Sequence, residues 1–224
     1  MSKTNLKTLA YNAIREKIVT CEYAPGTNLN EELLTNELNL SRTPIRDALG
    51  RLEQEGLLDI KPKCGITVKP LSANEINMIF EVRSLYEPYI ILNYGQLLPK
   101  DELEKFYKIF QRKECSDEHP QNNAYFYELD FAFHSMIVNA CPNPYIRQNY
   151  SMIQTQNERF RHMTGNASDT RLDDTFQEHL DITLLCLQNE WKSAADKMLH
   201  HLNESKKVSF NLVFNSMHNN PFTP

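Results

Sequence analysis

Apolar residues between positions 41 and 56 (SRTPIRDALGRLEQEG) return at helical spacing. Ile45, Ala48, Leu49 and Leu52 stand at i, i+3, i+4 and i+7, so one face of a helix packs inward. Ser41 is placed to cap that helix, and Pro44 is tolerated in a first turn whose N–H groups have no intrahelical partner. A shorter helical segment, 31–38, precedes it across the turn Asn39-Leu40-Ser41. After residue 70 the period stays helical and no alternating strand pattern emerges. Ser72-Ala73-Asn74-Glu75 is a capping box that opens a new helix. Helical stretches are expected over about 73–95, 100–115, 121–140, 144–163, 171–189 and 191–216. Gly95, Pro99, Pro120, Cys141-Pro142-Asn143-Pro144 and Thr164-Gly165-Asn166 punctuate them. The pattern predicts a mostly α protein with an N-terminal domain over 1–70 and an all-helical domain over 71–224, an antiparallel bundle of six or seven helices.

The polar face of the 41–56 helix carries the first candidate chemistry. Two helices joined by a tight turn form the layout that lays its second helix in the DNA major groove. Arg42, Arg46 and Gly50 fall on another face, each four residues from the last. Arginines a turn apart can fork onto guanine O6 and N7 or onto phosphates. Gly50 costs ~1 kcal/mol relative to alanine in a helix interior, and close approach to the groove is a compensation for it. Arg42, Thr43, Arg46 and Gly50 are therefore the candidate DNA contacts of this helix.

The same stretch resembles the signature of the GntR family of bacterial transcription regulators, close to "SRTPVREAL.RLE.EGL", and here reads SRTPIRDALGRLEQEGLL. The resemblance runs upstream through Tyr11, Ile14, Arg15, Ile18 and the Pro25-Gly26 turn before Leu29. Downstream it takes in a wing over residues 57–68 with Gly65 at the hairpin. It implies a winged helix-turn-helix, acting as a homodimer on a pseudo-palindromic operator. Lys61 and Lys63 in the wing would then supply phosphate or minor-groove contacts, with Gly65 between the strands; alone, a solvated hairpin explains them equally well. Glu32 departs from relatives that place a basic DNA contact near it, which leaves base preference at that edge open.

Charge sharpens this picture. The chain has 224 residues and a net charge of −5, which taken whole opposes nucleic-acid binding. Residues 1–70, however, hold 10 Lys+Arg against 9 Asp+Glu, net +1, and residues 71–224 hold 14 against 20, net −6. A few placed contacts must carry DNA affinity, and binding should weaken steeply with salt. The five cysteines (Cys21, Cys64, Cys115, Cys141, Cys186) are widely spaced with no CxxC pair, as expected for reduced thiols in the cytoplasm. No long apolar run predicts a membrane span, and the N-terminal MSKTNLKTLA lacks the apolar core of a signal peptide.

The predicted bundle contains the second chemistry. Asp130 and His134, four apart, share a helix face with Phe126, Tyr127, Phe133 and Ile137. An aspartate on an apolar face is costly unless paired or metal-bound. His179 lies with Leu172, Phe176, Thr183 and Cys186; His201 lies with Ala194, Met198, Val208 and Leu212, while His200 turns to the polar side. One carboxylate and three imidazoles from three helices suit zinc, nickel or another borderline divalent ion. Taken singly, an inward histidine is more often a hydrogen-bonded core residue than a ligand, and Asp130 and His134 can satisfy each other.

This part resembles the FCD ligand-binding domain of the fatty-acid-regulator branch of the GntR family. Metal-binding members of that branch show Asp-x3-His, a distant His and a further His about two dozen residues on. The resemblance implies that Asp130, His134, His179 and His201 hold a metal and that a small organic acid binds beside it. Arg83 sits mid-stripe among Ile76, Ile79, Phe80, Glu87 and Ile90. It is either the partner of Glu87 in an intrahelical salt bridge or a guanidinium fork for the acid's carboxylate; Arg161 is a weaker effector candidate, as is Arg159, with Glu158 near enough to neutralise one of them. The expectation is a DNA-binding transcription regulator, not an enzyme. Two alternatives remain: a metal-dependent hydrolase, for which Glu178 and Asp181 flank His179 without forming a convincing general base, and a metal-free binder of a larger apolar acid.

Overall fold

In the computed structural model the described residues are 3–61, 65–112, 123–164 and 169–218. The chain divides into two compact units, Met1–Ser72 with Glu158–Met163, and Ala73–Asn157 with Thr164–Pro224. The grouping of the short segment Glu158–Met163 with the N-terminal unit has no counterpart in the sequence pattern.

The N-terminal unit runs α1 (Lys3–Val19), β1 (Asn28–Leu29), α2 (Glu31–Leu38), α3 (Arg42–Gln54), β2 (Leu58–Lys61) and β3 (Gly65–Val68). Ile14 and Ile18 of α1 meet Ile45, Leu49 and Leu52 of α3 in one buried core, closed by Leu57, Leu58 and Val68. The inward face anticipated for α3 is thus the core face. Asn39 ends α2 in the left-handed conformation (φ 52°), the sharp turn between the two helices, which asparagine tolerates better than most residues. Ser41 does stand at the N-cap of α3, but its side chain makes no capping hydrogen bond. The position was legible and the bond was not formed.

The sheet has the order β1-β3-β2, antiparallel throughout. Leu58 pairs with Val68 and Lys61 with Gly65, so the wing hairpin is in place. β1, two residues long, adds a third strand against Ile66 and Thr67. Gly26, at φ 83°, turns the chain into it.

The C-terminal unit contains α4 (Ala73–Tyr94), a 3-10 turn (Gly95–Leu97), α5 (Lys100–Arg112), α6 (Asn123–Asn139), α7 (Pro144–Thr164), α8 (Asp169–Leu187) and α9 (Trp191–His218). Each boundary among the described residues falls within about two positions of the expected one, because Gly and Pro mark most of the breaks, while Asn189 at φ 61° makes the turn between α8 and α9. α4 packs on α6 and α9, α5 on α8, and α8 on α9. Phe106, Phe110, Phe133 and Phe176 stack edge to face between α5, α6 and α8, forming an aromatic wall. No helix among the described residues is long and apolar enough to cross a membrane. Cys21, Cys141 and Cys186 are thiols outside any disulfide; Cys64 and Cys115 lie outside the described residues.

Candidate metal centre and nucleic-acid interface

α6 places Asp130 and His134 one turn apart, α8 supplies His179 and α9 supplies His201, all four buried. One donor atom from each lies within 4.8 Å of the other three. His134 Nε2 and His179 Nε2 each stand 3.7 Å from Asp130 Oδ1, and the Nε2 atoms of His179 and His201 are 3.3 Å apart. The choice between neighbouring histidines on α9 falls to His201, since His200 is exposed. Phe133 and Phe110 pack on the fully buried His179 ring at centroid distances of 4.6 and 5.2 Å. Buried His134 Nε2 makes no hydrogen bond among the described residues, although a buried polar atom of this kind normally has a partner. A borderline divalent cation is the partner this donor set fits.

Three residues outside the predicted set complete the surroundings. Glu87 Oε2 lies 2.6 Å from His134 Nδ1, while its Oε1 accepts from Arg83 Nε at 2.7 Å and from the Tyr150 hydroxyl. Glu178 Oε2 lies 2.6 Å from His201 Nδ1. Glu178 therefore faces α9 rather than acting as a base beside His179, and Asp181 pairs with Lys197 at 2.8 Å. Sequence gave a hint for Glu87, a second charge one turn beyond Arg83 on an apolar stripe. Glu178 carried no such signal.

Burial opposes charge on Glu87, yet the Arg83 guanidinium and His134 hold its carboxyl far below the usual range. Burial also pulls His134 down, but the Glu87 and Asp130 carboxylates outweigh it and raise the imidazole. His201 goes the other way: burial pushes it down to about 4 against its hydrogen bond to Glu178. Burial and the adjacent Glu87 charge lift the Tyr150 hydroxyl well above its ordinary value.

Arg83, fully buried, makes the intrahelical salt bridge with Glu87 and also donates through Nη1 to Asn157 Oδ1 at 3.3 Å. Arg161, half-buried on α7, lies in the segment that groups with the N-terminal unit. Its neighbour Arg159 is buried and donates to the Lys69 carbonyl, while Glu158 pairs with Arg15 at 3.9 Å.

On the N-terminal unit, Arg42, Thr43 and Arg46 are exposed on α3. Nothing lies within 4 Å of where a Gly50 Cβ would stand, so the same face is open there too. Glu31 at the start of α2 holds Arg46 Nε at 2.8 and 2.9 Å, a contact sequence spacing did not reveal. Lys61 is exposed at the end of β2 and Gly65 opens β3 at φ 105°; Lys63 lies outside the described residues.

Comparison with known proteins matches this arrangement to two families. Residues 6–68 match the bacterial regulatory proteins of the gntR family, and residues 78–204 match the FCD domain. The HTH-type transcriptional repressor RspR of Escherichia coli K12 is 24% identical over 195 residues, covering 87% of this chain and 84% of that protein. The gluconate operon transcriptional repressor of Bacillus licheniformis is 25% identical over 192 residues, 86% of this chain and 78% of its own. A solved GntR transcriptional regulator from Rhodococcus sp. RHA1 superposes with a TM-score of 0.74 at 15% identity, covering 92% of this chain and 97% of that one. These relatives regulate transcription, and the hydrolase alternative falls with them. The chain belongs to the GntR family of bacterial regulatory proteins, with an N-terminal helix-turn-helix and a C-terminal FCD domain, and is a DNA-binding transcription regulator.

Proposed function

We propose that this regulator senses a small organic acid through a divalent metal held by Asp130, His134, His179 and His201. The observation that carries the reading is the convergence of four buried donor atoms within 4.8 Å. Nitrogen-rich donors with one carboxylate favour zinc or nickel. A cation held there supplies a Lewis-acid seat for the acid's carboxylate. Arg83, whose charge acts on Asp130, would attract the same anion. Acid binding would favour one packing of the bundle over another and so bias operator affinity in a homodimer, by as much as its affinity differs between the two.

The DNA contacts in this reading are Arg42, Thr43, Arg46 and Gly50 on α3, with Lys61, Lys63 and Gly65 in the wing. Arg46→Ala is expected to weaken operator binding about tenfold to hundredfold, the scale of losing a bidentate base contact. Fluorescence anisotropy measures it; unchanged affinity removes Arg46 from the contact set.

Metal analysis of protein purified without chelator, followed by operator titrations with metal and with a panel of small carboxylates, tests the sensor. Metal-free protein that still responds to a longer apolar acid would favour the metal-free alternative. Metal uptake must also displace a proton from the raised His134 imidazole. Cobalt(II) affinity is therefore expected to fall about tenfold per pH unit below that raised value. His201, pushed down to about 4, adds proton competition only far lower. A flat affinity between about pH 5 and 8 would contradict His134 as a ligand.

A further inference from the structure

We propose that Glu87 and Glu178 are positioning residues that fix the imidazoles of His134 and His201 as Nδ1–H tautomers, turning both Nε2 atoms toward Asp130 and His179. The inference rests on the metal reading above but concerns residues that reading does not use. An ionised carboxylate only accepts hydrogen bonds, so a contact of 2.6 Å at Nδ1 requires the proton to sit on that nitrogen. In the neutral ring Nε2 is then the lone-pair atom. Those Nε2 atoms face the cluster, 3.7 Å from Asp130 Oδ1 for His134 and 3.3 Å from His179 Nε2 for His201.

The two carboxylates come from different helices than the rings they hold. Glu87 on α4 reaches His134 on α6, and Glu178 on α8 reaches across to His201 on α9. Glu87 is itself fixed on its other oxygen by Arg83 and Tyr150. A ring held at one nitrogen by a fixed acceptor has little freedom to flip, so the second nitrogen is preorganised before any cation arrives. Arg83 thereby acts on the cluster through Glu87, whether or not it touches an effector.

Full-length protein, Glu178→Ala, Glu178→Gln and Asp130→Ala would be titrated with cobalt(II) against a competing chelator. Glu178→Ala is expected to bind cobalt(II) about 10- to 100-fold more weakly, the scale for losing the outer partner of a ligating histidine. Glu178→Gln keeps a carbonyl acceptor for Nδ1–H and should recover most of that loss, which a merely structural role would not predict. Long-range proton–nitrogen spectra of histidine-labelled wild type should show His134 and His201 protonated at Nδ1. No cobalt(II) uptake by wild type would remove the metal site and this inference with it. Uptake abolished by Asp130→Ala but unchanged in Glu178→Ala would leave the site standing and overturn the positioning role. Should Glu178→Ala not fold, the wild-type spectra still decide: a proton on Nε2 of His201 overturns the proposal.

Discussion

Arg83→Met is expected to cost about 3–5 kcal/mol of folding stability, the penalty for stripping one partner from a buried ion pair. Methionine replaces most of the apolar stem but leaves the Glu87 carboxylate, fully buried, without the guanidinium 2.7 Å away. His134 and Tyr150 still donate to Glu87, which places the effect toward the lower end of that range. The Nη1 contact to Asn157 on α7 is lost as well. Chemical denaturation of metal-free protein measures the change. Arg83→Met with Glu87→Gln should recover part of it, since the amide removes the unpaired buried charge while its carbonyl still accepts one of the hydrogen bonds from His134 and Tyr150. A loss below about 1 kcal/mol in the single variant would show that the pair contributes little beyond an exposed one.

The second large effect is expected from metal itself. A ligand that binds only the folded state stabilises it by RT ln(1 + [L]/Kd), about 4 kcal/mol at a thousandfold excess over Kd. Adding cobalt(II) or zinc to chelator-treated protein should therefore raise the unfolding midpoint, and the gain should grow with the logarithm of metal concentration. Asp130→Ala should abolish the gain by removing the one carboxylate that both His134 and His179 approach at 3.7 Å. A midpoint indifferent to metal would leave the four side chains as a buried polar network. In that case Asp130 and His134 would serve packing, and the sensor proposal would lose its centre.

Much of the fold was legible because periodicity and punctuation are local. The α3 stripe of Ile45, Ala48, Leu49 and Leu52 had one way to face a core, and all four are buried. The breaks after α4 and α6 follow from Gly95, Pro99 and the Pro142-Asn143-Pro144 run. β1 was not legible, since two residues carry no alternation and exist as a strand only by pairing with β3. The Ser41 cap failed in a similar way: residue type predicts the position, while the hydrogen bond depends on a rotamer.

The candidate metal set was legible for the same local reason. Four residues each lay on an apolar helix face, and apolar faces converge in a bundle. Their partners were not. Glu178 follows its helix neighbours in sequence yet serves a ring 23 positions away, and Glu31 holds Arg46 across 15. A helix period states which side of its own axis a residue occupies. It says nothing about which residue of another helix stands opposite.

By itself, then, the sequence determined the helices, the buried and exposed faces of α3, and which four donors point inward, because side-chain direction along a helix follows from 3.6 residues per turn. Only the tertiary structure decided that Arg83 is committed to Glu87, that Glu87 and Glu178 grip His134 and His201, and that Glu31 holds Arg46. Those contacts depend on the axial offset and rotation between packed elements, which the interlocking of many side chains sets at once.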